Sequence, residues 1–141
     1  MRLTLDASMA LAWLLERELA QEVARADQAL LAVADAETLV PPLWHTEVAN
    51  ALLVGERRRI ITEAQVIDYL DRLYGLSITT DDAAPVTRRD LIMALAREYG
   101  LTAYDATYLD LALRTGSVLA TFDGKLADAM RRAGGEVFGD V

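Results

Sequence analysis

Four short apolar runs recur along this chain: RLTL at 2–5, ETLV at 37–40, LSITT at 76–80 and SVLATFD at 117–123, with segments of helical periodicity between them. No other feature limits the fold so tightly. Short apolar runs separated by helices suit strands buried on both faces, which means a parallel sheet covered by helices. Helices are expected at ASMALAWLLEREL (7–19), EVARADQALLAVADA (22–36), LWHTEVANALLVGERR (43–58) and TEAQVIDYLDRLYG (62–75). Others are expected within DDAAPVTRRDLIMALAREYG (81–100), LTAYDATYLDLALRTG (101–116) and GKLADAMRRAGG (124–135), and EVFG (136–139) offers a fifth strand. Thr62 suits an N-cap, Pro42 a helix entry and Gly100 a left-handed C-cap. The expected fold is α/β: a three-layer α/β/α arrangement around a central parallel sheet of four or five strands, in a single domain spanning 1–141. In such folds ligands bind beyond the carboxyl ends of the strands, where the connections diverge.

Composition removes several classes of function. With no cysteine, disulfide scaffolds, cysteine catalysis and thiolate metal sites are excluded. A net charge of −8 argues against loose, sequence-blind binding to nucleic acid, which relies on neutralising phosphates. It leaves room for a local basic patch, or for a site whose acids are masked by metal. The most apolar segments are broken by charges well before the ~18 residues a membrane span needs. MRLTLD reaches a strand pattern within two residues, with no space for a signal peptide, so a soluble cytoplasmic protein is expected.

Four acids fall where the ligand crevice should lie. Asp6 and Asp123 stand where a strand gives way to a helix. Glu47 and Asp105 lie in the early turns of helices that must pack on the sheet. Asp105 shares its helix face with Tyr108, Leu109 and Ala112, which makes it a carboxylate on an apolar stripe. Each has an ordinary explanation taken singly. Asp6 and Asp123 read equally as helix N-caps, Thr102-x-x-Asp105 as a capping signature, and Glu47 as a solvated edge residue. Together they are harder to explain, because like charges a few Å apart cannot all stay ionised without compensation. Either some are neutral or a cation sits among them, and carboxylate oxygens select Mg²⁺ or Mn²⁺ rather than zinc. Ser8 and Thr121 add hydroxyls to the same pocket. His45, the one histidine, has no partner of a catalytic kind, and Asp27, Asp35, Asp81, Asp82, Asp110 and Asp128 read as solvated or turn residues.

Asp6-Ala-Ser8 after the first strand, TEVANAL around Glu47, GLTAYDATYLDLAL around Asp105 and LATFDGKLADAM around Asp123 occur in that order. Together they resemble the PIN-domain nucleases, most closely the VapC-type toxins of bacterial toxin–antitoxin pairs. The resemblance runs from residue 2 to about 138. It implies a metal-dependent endoribonuclease in which Asp6, Glu47, Asp105 and Asp123 form the acidic, metal-binding and catalytic cluster, with Ser8 and Thr121 as supporting polar groups. It also implies a cognate antitoxin and a homodimer. Lys125 follows the last acid where relatives vary, and receives no role.

The chemistry fits the residue types independently. Bound Mg²⁺ or Mn²⁺ makes a nucleophile of water near neutral pH and stabilises charge on a phosphate. Asp6 and Asp105 are the expected principal ligands. Glu47 and Asp123 would hold a second ion or outer waters, one of them acting as general base. Arg57, Arg58 and Arg59, in GERRRI, are candidates for binding RNA phosphates, as are Arg88-Arg89, Arg114 and Arg131-Arg132. Cations near helix C-termini also simply complement the macrodipole. Two rival functions remain open at this point: an acidic-pocket phosphatase or phosphotransfer domain, and a catalytically silent interaction module.

Overall fold

The computed structural model describes residues 1–140. In chain order the elements are β1 (Arg2–Leu5), α1 (Ala7–Leu11), α2 (Ala20–Asp35), β2 (Glu37–Val40), α3 (Leu43–Arg57) and α4 (Glu63–Tyr74), then β3 (Ile78–Thr80), α5 (Pro85–Tyr99), α6 (Ala103–Thr115), β4 (Val118–Ala120) and α7 (Gly124–Arg132). The strands form a four-stranded sheet in the order β3-β2-β1-β4, every pairing parallel. Helices flank it on both faces, giving the expected three layers.

The core follows the apolar runs. Leu3, Leu5, Val40, Leu119 and Ala120 are fully buried in the sheet. Trp44, Val48 and Leu52 of α3 recur at helical spacing and are buried with Tyr108, Leu109 and Ala112 of α6. Local chemistry sets the boundaries. Thr62 and Gln65 form a reciprocal capping box at the start of α4. Gly100 and Gly116 end α5 and α6 in the left-handed conformation, at φ 66° and 64°.

Three expectations need correction. The first helix stops at Leu11 instead of continuing to 19. A helix through LAWLL would turn consecutive apolar side chains to all sides. The turns after Leu11 instead let Leu11, Trp13, Leu14 and Leu15 all pack on the core, with the Trp13 indole N–H donating to the Ala26 carbonyl at 2.9 Å. The last strand is shorter than SVLATFD, since its ladder ends at Ala120. EVFG forms no full strand. Val137 makes a single parallel bridge to Leu119, with the Leu119 N–H donating to the Glu136 carbonyl and the Phe138 N–H to the Leu119 carbonyl.

Candidate active site

The strand order places a crevice beside β1. The chain leaves β1 toward β2 and β3 on one side and returns on the other as β4, so the connections diverge between β1 and β4. At that end the Asp6 N–H donates to the Ala120 carbonyl at 3.0 Å, stitching the two strand ends together.

Asp6 follows β1 directly and is 6% exposed. It occupies the N-cap position of α1 but makes no side-chain capping bond. Its Oδ2 accepts instead from Ser8 Oγ at 2.5 Å and from Thr121 Oγ1 at 2.7 Å. Ser8 Oγ in turn accepts from the Phe122 N–H, and Thr121 Oγ1 from the Asp123 N–H, both at 2.9 Å. Each hydroxyl has one proton, and it points at Asp6 while the lone pairs take a backbone N–H. Oδ2 is thereby fixed as an acceptor. Burial pushes the Asp6 carboxyl above the ordinary carboxylate range; the two hydroxyls oppose this, and the charge of Asp123 adds to it.

Glu47 is carried by the second turn of α3 and is half-buried. Its Oε1 accepts from the Tyr108 hydroxyl at 2.5 Å. Burial raises its pKa, the phenol opposes the rise, and the charges of Asp6 and Asp105 reinforce it. Asp105 lies in the first turn of α6, where its backbone N–H donates to the capping hydroxyl of Thr102 at 3.1 Å. Its half-buried carboxyl is raised by burial and by the charges of Asp123 and Asp6, with Thr102 and Lys125 pulling the other way. Asp123 does cap its helix, since Oδ1 accepts from the Leu126 N–H at 3.0 Å. The same side chain also repels Asp6 and Asp105.

Asp6 and Asp105 thus act on each other, and each is coupled to both Glu47 and Asp123. Among the described residues, however, no three His, Cys, Asp or Glu side chains stand close enough to make a ready-made metal cage. The donor set itself, carboxylate oxygens with mutual repulsion, fits a hard divalent cation. In three of the four acids one oxygen is anchored by a protein donor: Asp6 Oδ2, Glu47 Oε1 and Asp123 Oδ1.

Other candidates lie apart. Arg57, Arg58 and Arg59 are exposed at the far end of α3, and Arg57 is about 15 Å farther along the helix axis than Glu47. Arg88 grips Asp110 through two bonds of 3.0 and 2.6 Å, and Arg114 pairs with Asp110 and Asp81. Arg131 is engaged by Asp128 and Asp140. Asp110 is not solvated, as the sequence suggests, but 5% exposed, because α5 brings Arg88 to it. His45 bonds Thr80 Oγ1 at 2.8 Å, away from the acids. An apolar cavity of about 520 Å³ opens between α3 and α4, lined by residues such as Val48, Leu52 and Leu70, with none of the four acids in its wall.

Sequence reasoning misses two neighbours of the acids. Lys125 acts on Asp105 from the first turn of α7. Tyr108 reads as one more apolar residue on the α6 stripe; its spacing of three residues from Asp105 was the available signal.

Comparison with known proteins agrees with this placement of elements. The PIN domain family model matches residues 3–131. Ribonuclease VapC3 of Pyrobaculum aerophilum is 34% identical over 131 residues, covering 91% of this chain and 94% of that protein. The crystal structure of PAE2754 from the same organism superposes with a TM-score of 0.65 at 25% identity, covering 92% of this chain and 84% of that one. With a family match across nearly the whole sheet-and-helix core and a full-length relative at this identity, the chain belongs to the PIN-domain family, in its VapC-type branch.

Proposed function

We propose that this protein is a Mg²⁺- or Mn²⁺-dependent endoribonuclease, the toxin of a toxin–antitoxin pair, working as one domain in the cytoplasm. The observation that supports the reading is the electrostatic coupling of Asp6 and Asp105 to each other and to Glu47 and Asp123, with burial and repulsion raising the pKa values of Asp6, Glu47 and Asp105. A site that must hold several acids close together against their repulsion suits a divalent cation and a phosphate better than a neutral ligand. The similarity to a ribonuclease supports RNA as the substrate.

In the proposed reaction, water adds to a phosphodiester phosphorus and the leaving oxygen departs with a proton. When bound, the divalent ion supplies an acidified water and a countercharge for the phosphate. Asp6 and Asp105 would be its principal ligands, Asp6 held in place by Ser8 and Thr121. Glu47 and Asp123 would orient water or a second ion, and one of them would take the proton of the attacking water. Lys125, whose charge acts on Asp105, would add a countercharge for a substrate phosphate. Arg57, Arg58 and Arg59 would touch RNA only well beyond the scissile bond. A small antitoxin and a second copy of the chain are the proposed protein partners. Among the described residues, no helix is long and apolar enough to cross a membrane.

Incubation with RNA and with a phosphomonoester, each with and without EDTA, tests the reaction class. RNA should be cut internally in Mg²⁺ or Mn²⁺, and EDTA should abolish the cutting. Release of phosphate from the monoester with RNA left intact would favour a phosphatase, and inertness toward both would favour a silent module.

A further inference from the structure

Glu47 takes no part in the hydrogen bonds through which Ser8 and Thr121 organise Asp6 and the segment up to Asp123, and it comes from a different helix. A glutamate on the second turn of α3 has three rotatable side-chain bonds and, left alone, would sample several positions. One group holds it: the Tyr108 hydroxyl, donating to Oε1 at 2.5 Å. Tyr108 is 0% exposed, so its ring is fixed by packing and its hydroxyl is delivered to a single place. It rises from α6 three residues after Asp105, on the same face. One helix thus carries an acid of the cluster and the anchor of a second acid, which locks the spacing between α3 and α6 at the crevice.

We propose that Tyr108 is a positioning residue that anchors Glu47 by Oε1 and so leaves Oε2 free to serve the divalent-metal site built with Asp6 and Asp105, directly or through water. This rests on the reading of the four acids as a metal site. A tyrosine that merely filled the core would need no acceptor on a functional side chain, and a phenylalanine would fill the same space. The difference between the two is one oxygen, and that oxygen is directed at Glu47.

The test is calorimetric titration of Mn²⁺ into the wild-type protein, Tyr108→Phe, Glu47→Gln and the double variant, alongside Tyr69→Phe. Tyr69 is the comparator because it too is a buried tyrosine, with its hydroxyl on the Ala10 carbonyl at 2.5 Å instead of on an acid. Loss of a hydrogen bond to a ligating carboxylate typically weakens metal binding about 10- to 100-fold. Tyr108→Phe should weaken Mn²⁺ binding within that range and lower kcat for RNA with KM little changed. Tyr69→Phe should leave the Mn²⁺ affinity as it was. In the Glu47→Gln background, Tyr108→Phe should add little further loss, the mark of two residues acting as a unit. Mn²⁺ binding by Tyr108→Phe equal to wild type, with Glu47→Gln impaired, overturns the role of Tyr108 and leaves the metal site standing. An equal loss in Tyr69→Phe overturns it too, by assigning the effect to general loosening. A wild-type protein that binds no Mn²⁺ overturns both the inference and the reading beneath it.

Discussion

Asp105 shows in one side chain the conflict on which this site is built. It lies on the inward stripe of α6, beside Tyr108 and Leu109, and is coupled to Asp123, Asp6 and Glu47 across the crevice. Asp6, Glu47 and Asp105 all titrate above the ordinary carboxylate range when folded. The folded chain therefore holds more protons than the unfolded one between the two sets of values. The stability these groups contribute is fully present below the unfolded pKa and is lost as pH rises through the folded one. Above the folded values and without metal, bringing their charges together works against folding. Asp105→Asn removes one such charge. In EDTA at pH 7 this variant should melt at a higher temperature than wild type, with the difference shrinking as the pH falls through the raised folded value and vanishing below the ordinary value of 3.8. The same variant should fail to cleave RNA. A variant less stable than wild type at pH 7, or one that still cleaves at the wild-type rate, would contradict the part given to Asp105.

At the scale of elements, the site is only as exact as the ends of its helices. Gly116 closes the helix that carries Asp105 and Tyr108, and Gly100 closes the helix packed beside it, each in the left-handed conformation. A Cβ at either glycine would meet no atom within 4 Å, so the cost of a side chain there is backbone strain alone. Gly100→Ala should destabilise the fold by about 1 kcal/mol, read from denaturant unfolding, and leave the kinetics of cleavage untouched. These caps were legible because Gly after a periodic run is a local signal. The early end of α1 was not, because it depends on Trp13 finding the Ala26 carbonyl, a partner the local sequence does not announce. Asp110 failed for the same reason. Its burial is licensed by Arg88, twenty-two positions earlier and on another helix, whereas its own helix offers only Arg114 at the fourth position.

At the scale of the whole molecule, the parallel order β3-β2-β1-β4 carries the acids to one crevice. The acids themselves could be picked out of the sequence, because strand ends and helix faces follow from periodicity. What periodicity does not reveal is which oxygen of each carboxylate is anchored, since that is decided by hydroxyls and amides from distant segments such as Thr121 and Phe122. The net charge of −8 sets a further constraint, because an acidic protein must confine its attraction for RNA to a few cations. If Arg57, Arg58 and Arg59 track the RNA backbone outside the crevice, reversing their charges should weaken RNA binding and flatten its dependence on salt. For a single strand, the slope should fall by about 0.7 for every phosphate that an arginine no longer neutralises. An unchanged slope would remove the three arginines from the binding surface.

The most direct measurement is a crystal structure of the wild-type protein grown with Mn²⁺, with the ion located by its anomalous scattering. An anomalous peak is predicted in the crevice between β1 and β4, with Asp6 and Asp105 among the ligands of the ion and Glu47 and Asp123 facing it. A crevice without a peak at saturating Mn²⁺, or an ion held elsewhere while the four carboxylates stay apart, would contradict the shared metal site.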